Sequence, residues 1–266
     1  MKTLTLRAAS ILFSCLFATA SVLHAADPAP PVKQPAAGEL NVLFIGNSLT
    51  SSNDLPATVA ALAKAGGKPF IQDSSILPGK TLKEHWEDKK QRSLKKIQSR
   101  KWDIVVLQDY SSQPLTGPED MVTYGTLFSK EIAKQGAKTA WFMTWAGRNH
   151  PNDQPVFTKA YTDLATATGG ILIPVGVAWG SFAGNDRQAL FPGSDQKHPG
   201  PAGTYLSACV FYGVLFHASP VGLPGEFDFV MANGKPTKVK FDAAQAKIYQ
   251  EAAWAAVRKT VPSPAR

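Results

Sequence analysis

Cysteine is nearly absent from this chain of 266 residues, which has only two. Cys15 falls in an N-terminal segment expected to be removed, so Cys209 alone remains, no intramolecular disulfide can staple the mature fold, and stability must come from a packed core. Cys209 lies in Ala208-Cys209-Val210-Phe211, where a buried, inert thiol is expected rather than a nucleophile. Beyond the first 25 residues no apolar run approaches the roughly 20 residues needed to cross a bilayer, so no membrane span is expected. No cluster of histidine, cysteine and carboxylate has metal-ligand spacing, and there is no glycine-rich phosphate loop, so neither a metal nor another cofactor is implied. Internal repeats are missing too.

What the chain does have begins with a segment of three parts. Lys2 and Arg7 form a basic start, Ile11 to Ala20 a short apolar core, and Val22-Leu23-His24-Ala25 a small-residue end. That is the build of a secretory signal peptide over residues 1–25, and it predicts a secreted or periplasmic protein. Asp27-Pro28-Ala29-Pro30-Pro31 and Pro35 then make a proline-rich leader over 26–38, which is expected to stay extended. Residues 39–266 remain for one α/β domain with a sizeable core. The formal charge of +8 falls to about +6 once Lys2 and Arg7 are removed. Much of it sits in Lys89-Lys90-Gln91-Arg92-Ser93-Leu94-Lys95-Lys96, which has helical spacing and no interleaved aromatics, and so reads as a solvated helix face rather than a nucleic-acid site.

Short apolar runs recur at 41–45, 69–72, 104–107, 139–144 and 171–175. Their apolarity is continuous rather than alternating, as in strands buried on both faces. Helical patterns separate them at 55–65, 82–99, 120–135, 154–168 and 202–216. This alternation predicts a parallel, doubly wound sheet, with ligands bound beyond the carboxyl ends of the strands. Toward the end, Asn233-Gly234 signals a small hairpin that Pro236 argues should be irregular. Asp242 is placed to cap a last helix through Arg258, with Ile248, Tyr249, Ala252, Ala256 and Trp254 inward.

Two segments about 150 residues apart carry chemistry. Val42-Leu43-Phe44-Ile45-Gly46-Asn47-Ser48-Leu49 puts a serine on the turn after a buried strand. Asp195-Gln196-Lys197-His198-Pro199 puts a carboxylate and an imidazole on one loop ahead of a helix. A serine hydroxyl attacks only when a base takes its proton and a third group orients that base; Ser48, His198 and Asp195 can fill these roles. His85, His150 and His217 are rivals of His198, which is preferred because Asp195 can pair with it on the same loop and Pro199-Gly200-Pro201 makes a rigid turn into a helix.

These segments resemble the first and last blocks of the SGNH hydrolases, also called GDSL-like esterases and lipases, with Asn47 where Gly-Asp-Ser has its aspartate. Gly79, in Ile76-Leu77-Pro78-Gly79-Lys80, is similar in position to the second-block glycine that donates a backbone N–H. The third block departs from the usual Gly-x-Asn-Asp, for this chain has Gln108-Asp109-Tyr110 after the apolar run. The resemblance implies a three-layer flavodoxin-like fold in a single domain, ester hydrolysis without a cofactor, and an oxyanion hole built from the N–H groups of Ser48 and Gly79 and the Gln108 amide, with Gln113 as the other candidate. A glutamine there is similar to the carbohydrate-esterase branches. The alternative is that Gln108 and Asp109 merely satisfy backbone groups in a loop.

Thr144-Trp145-Ala146-Gly147-Arg148 follows the fourth strand, so Trp145 and Arg148 are candidates to bind substrate. The expectation is therefore a serine esterase acting on short acyl, above all acetyl, esters of a small molecule or polysaccharide. A long-chain lipase or thioesterase and an inactive carbohydrate-binding protein of the same fold are the alternatives.

Overall fold

The computed structural model describes residues 38–260, so the expected signal peptide and all of the leader except Gly38 lie outside the described residues. Five strands pair in parallel: β1 (Leu40–Gly46), β2 (Phe70–Ile76), β3 (Ile104–Leu107), β4 (Lys138–Phe142) and β5 (Ile171–Ile173). Their order is β2-β1-β3-β4-β5, that of flavodoxin-like sheets. Parallel neighbours need crossover connections, and helices supply them. The crossovers carry α1 (Ser48–Ser51), α2 (Leu55–Ala65), α3 (Leu82–Trp86), α4 (Arg92–Gln98), α5 (Gln113–Thr116), α6 (Pro118–Lys134) and α7 (Gln154–Thr168), and α8 (Val175–Gly180), α9 (Gly184–Leu190), α10 (Pro201–Phe216) and α11 (Ala243–Thr260) follow β5. An antiparallel pair, β6 (Glu226–Val230) and β7 (Pro236–Lys240), precedes α11.

Alternation along the strands divides the core in two. Val42, Phe44, Val106, Phe142 and Ile173 face one layer, where they meet α10 through Phe211 and its neighbours. Leu43, Ile45, Val105, Leu107 and Trp141 face the other, against Phe128 and Ile132 of α6 and Tyr161 and Leu164 of α7. Helix α10 is apolar all round and buries 14 of its 16 residues, because it lies between the sheet and α2, α8 and α11. Each large side chain so buried contributes roughly 1.5–3 kcal/mol.

The expected α/β three-layer architecture is present, with local differences. The pattern over 82–99 is two helices: the Asp88 carboxylate accepts from the Arg92 backbone N–H (3.0 Å) and Nε (2.8 Å), and Gln91 takes a left-handed conformation. This local side-chain competition breaks the helix. Strand β2 runs on through Asp73 and Ser74 to Ile76, which an edge strand tolerates. The hairpin is regular after all, since Pro236 pairs with Val230 at the very start of β7, where a missing N–H does least harm. Asp242 caps the last helix through Gln245 N–H (2.8 Å), but Ile248 is exposed rather than inward.

The chain steps from β1 to β2 on one side and then to β3 on the other, so the order reverses between β1 and β3. Ser48 follows β1 at this switch point, the place where open α/β sheets bind ligands.

Candidate active site

Ser48 is the first residue of the one-turn helix α1, capped by Asn47, whose Oδ1 accepts from Leu49 N–H (3.1 Å). The turn is held from beneath by buried side chains. Gln108 Oε1 accepts from the Asn47 backbone N–H and from the Thr50 hydroxyl, both at 2.9 Å. Asn47 Nδ2 donates to Lys80 O (2.9 Å), tying the Gly79 turn to the serine turn. His85, fully buried, donates from Nε2 to Gly46 O (3.0 Å) and accepts at Nδ1 from the Ser93 hydroxyl (2.7 Å), the only tautomer a carbonyl partner permits. Burial pushes its pKa down to about 4, so the ring is neutral near pH 7. Gly46 is required for space, because a Cβ there would lie 2.5 Å from Thr50 Oγ1 and 2.6 Å from Gln108 Oε1.

On the opposite wall, His198 Nε2 lies 2.7 Å from Ser48 Oγ. Its Nδ1 hydrogen-bonds to Asp195 Oδ2, which fixes the proton on Nδ1 and leaves Nε2 as acceptor. Asp195 Oδ1 accepts from the backbone N–H groups of Lys197 (3.0 Å) and His198 (3.2 Å). The Lys197 N–H and the imidazole hold its carboxyl down at about 2, so it is anionic at any working pH. Three ties position this loop: Arg148 N–H to Gln196 O (3.0 Å), Trp145 Nε1 to Lys197 O (3.0 Å), and Asn53 Nδ2 to Pro199 O (3.0 Å). Asn53 also donates to Thr204 Oγ1 (3.0 Å) on α10, linking the serine side to the histidine side.

The structure thus brings Ser48, His198 and Asp195 together. Gly79 has φ +68° and open space around it, so the turn needs glycine for its backbone conformation. The first N–H of a helix has no intrahelical partner, which leaves that of Ser48 free.

Gln108 lies beneath the serine turn. It is fully buried, its oxygen accepts from Asn47 and Thr50, and its Nε2 donates to Asp109 O. Its oxygen and one of its two amide N–H groups are thus committed to supporting that turn. Gln113 uses one of its two amide N–H groups on Gly117 O (3.0 Å). Trp145 is buried and stacked face to face on Trp179 (3.8 Å between ring centres), so it offers an edge and not a platform. Arg148 donates from Nη1 to Phe191 O (3.2 Å) and acts as a brace. Asp109 accepts from the N–H groups of Leu82 (3.0 Å) and Tyr110 (2.7 Å), its other oxygen has no partner, and burial raises its pKa to about 6.

Beside the histidine loop lies an open cleft of about 270 Å³ lined by Ser111, Ser112, Leu115, Gly147, His150, Asp153, Phe157, Lys197 and the edge of Trp145. Among the described residues no group of three His, Cys, Asp or Glu could hold a metal ion, and Cys209 is buried with its pKa raised by desolvation. Sequence reasoning missed Asn53, Arg187 and the structural use of His85. Only His85 gave a signal, as a rival histidine.

No protein-family model and no curated protein matches the chain. Its fold is similar to that of several solved structures. One is a protein from Slackia heliotrinireducens classed as an SGNH hydrolase (23% identity, 66% of this chain and 99% of that one, TM-score 0.56). A second is a DUF4886 family protein from Bacteroides uniformis (18% identity, 85% and 98%, TM-score 0.64). A third is a family 3 carbohydrate esterase from Clostridium thermocellum (10% identity, 67% and 96%, TM-score 0.54).

Proposed function

We propose that this chain, which has the fold seen in SGNH hydrolases, is a serine esterase that cleaves short acyl groups, above all acetyl, from a hydroxylated, sugar-like alcohol. The observation that carries the reading is the unbroken run Ser48 Oγ, His198 Nε2, His198 Nδ1, Asp195 Oδ2 at the switch point of the sheet. In this mechanism Ser48 Oγ attacks the ester carbonyl while His198 takes its proton. The Asp195 carboxylate orients the ring and stabilises the imidazolium. The oxyanion is held by the backbone N–H groups of Ser48 and Gly79. Collapse of the tetrahedral intermediate releases the alcohol, which receives the proton from His198. Water, deprotonated by the same imidazole, then hydrolyses the acyl-Ser48 ester.

The alcohol preference rests on the cleft beside His198. Hydroxyls of Ser111 and Ser112, the His150 ring, the Asp153 carboxylate and the Lys197 ammonium line it beside the apolar surfaces of Leu115, Trp145 and Phe157; a lining that mixes donors and acceptors with apolar surface suits a sugar ring, which has hydroxyl edges and apolar faces. The solved carbohydrate esterase of similar fold agrees with that choice. Export belongs to the same proposal, on the strength of the three-part segment at residues 1–25.

The test has two arms. A fluorophosphonate probe should label Ser48 in the wild-type protein, and absence of labelling would favour an inactive binding protein. Acetyl and propionyl aryl esters should be cleaved much faster than octanoyl esters, and acetylated saccharides should release acetate. Preference for long acyl chains would turn the assignment to a lipase or thioesterase.

A further inference from the structure

Arg187 is alone among the described lysines and arginines in being buried. Its surroundings contain no counter-ion, for none of the ion pairs among the described residues includes it. Every hydrogen bond it makes goes instead to a backbone carbonyl: Nη2 to Ala146 O (2.9 Å) and Gly147 O (3.1 Å), Nη1 to Trp179 O (3.3 Å), Nε to Arg148 O (3.4 Å). Desolvation lowers its pKa. Burying an unpaired charge is expensive, and an apolar side chain of similar volume would fill the space at less cost. The site therefore has a use for a planar group with several donors.

That use is visible in what the carbonyls belong to. Ala146, Gly147 and Arg148 are consecutive, and their C=O groups converge on the guanidinium. The same segment carries the histidine loop on its other side, through Arg148 N–H to Gln196 O and through the neighbouring Trp145 Nε1 to Lys197 O. Phe191, which leads into that loop, has its ring 5.3 Å from the guanidinium carbon and its carbonyl bound by Arg148 Nη1. The guanidinium is thus the hub beneath a bridge, with His198 on top.

We propose that Arg187 is a positioning residue for His198. By gathering the carbonyls of residues 146–148 and 179 it fixes the segment from which Gln196 and Lys197 hang, and so sets the 2.7 Å approach of His198 Nε2 to Ser48 Oγ. The inference rests on the esterase reading above. Lysine at this position keeps the charge but brings one compact ammonium with three donors, which cannot span four spread carbonyls.

The test compares wild type, Arg187→Lys and Trp145→Phe, each titrated for active sites with the fluorophosphonate probe, so that kcat is expressed per reactive serine. Titration separates positioning from folding: a role in stability alone lowers the number of active sites and the Tm without changing the rate of each one. Arg187→Lys should keep its far-UV circular dichroism and lose about tenfold to a hundredfold in kcat per site, the scale of a small misplacement of a reacting group. KM on an acetyl aryl ester should change little, and the probe should label more slowly in parallel. A kcat per site within a factor of about two of wild type would overturn the proposal, since misplacement of His198 would act on the chemical step.

If Arg187→Lys does not fold, Trp145→Phe decides. It leaves Arg187 in place and keeps an aromatic ring against Trp179 while removing the indole N–H to Lys197 O, so a several-fold drop in kcat per site supports the bridge and an unchanged value refutes it. Wild-type protein that neither labels nor cleaves any ester would take down the esterase reading and the role of Arg187 together. An active wild type with a fully active Arg187→Lys would remove only the latter.

Discussion

The two walls of the site are built differently. The serine wall is held by buried side chains: Gln108, Asn47, Thr50 and His85 all bond into the turn that carries Ser48, and none of them is more than marginally exposed. The histidine wall is close to half exposed at both His198 and Asp195, and it hangs from backbone carbonyls reached by Arg148, Trp145 and Asn53. Ser48, the proposed nucleophile, is thus set in the part of the molecule where low dielectric strengthens hydrogen bonds and makes an unpaired polar group costly. His198, the proposed base, sits where water competes, so its geometry depends on a few long-range ties. Substitutions on the serine wall should register in stability, and substitutions on the histidine wall in rate.

Ser48 itself is the exception that sets the scale. Ser48→Ala should reduce ester hydrolysis by about a thousandfold or more, with far-UV circular dichroism and Tm unchanged, because only the attacking oxygen is lost. Retained activity would break the assignment. Asp195→Asn comes next: about a hundredfold or more in kcat, with little change in Tm, since the amide can still accept from Lys197 N–H but no longer stabilises the imidazolium. A large fall in Tm would mean that the histidine wall is as structural as the serine wall.

Gln108→Ala should show the reverse. It leaves the Asn47 N–H and the Thr50 hydroxyl buried without an acceptor, a loss of about 1–3 kcal/mol, or several degrees in Tm for a domain of this size. If kcat falls by two or more orders of magnitude while Tm holds, Gln108 is an oxyanion donor after all.

The smallest effects are those of pH on stability. His85 is depressed from 6.5 to about 4 in the fold, so the unfolded chain binds a proton more readily between those values. Its contribution to stability is therefore complete above about pH 6.5 and is lost as the pH falls toward 4. Asp109, raised from 3.8 to about 6, works the other way, and its contribution is lost as the pH rises through 6. The destabilisation caused by His85→Gln should therefore shrink between pH 7 and pH 5, and Asp109→Asn should gain on wild type as the pH rises from 4 to 7, both read from denaturant midpoints.

How much of this was legible in the sequence follows the same division. Ser48, Asp195 and His198 stand in local patterns, a strand-to-turn break and a four-residue loop, that chemistry requires at those spacings. The parallel sheet was readable because its strands are apolar on both faces. The support that Gln108 gives the serine turn was hidden because a position one residue past a strand does not reveal which layer its side chain enters; the pairing of Gln108 N–H with Ile45 O carries it under that turn. Arg187 was invisible because its partners are main-chain carbonyls, those of Ala146, Gly147 and Arg148 about 40 residues earlier and that of Trp179 nearer, which leave no mark in composition. Ile248 was counted as inward from helical spacing alone, yet the packing face of α11 runs through Ala246, Tyr249, Ala253 and Val257.

The carboxylate and the imidazole share one four-residue loop, and Asp195 binds that loop's own N–H groups as well as the ring. They therefore have a common reference frame, and displacing one carries the other along. A substrate pressing on this loop leaves the basicity of the ring intact and alters a single coordinate, the gap to Ser48. Esters that fit poorly should then be discriminated by throughput rather than by affinity, as in a lock whose key turns stiffly but always enters.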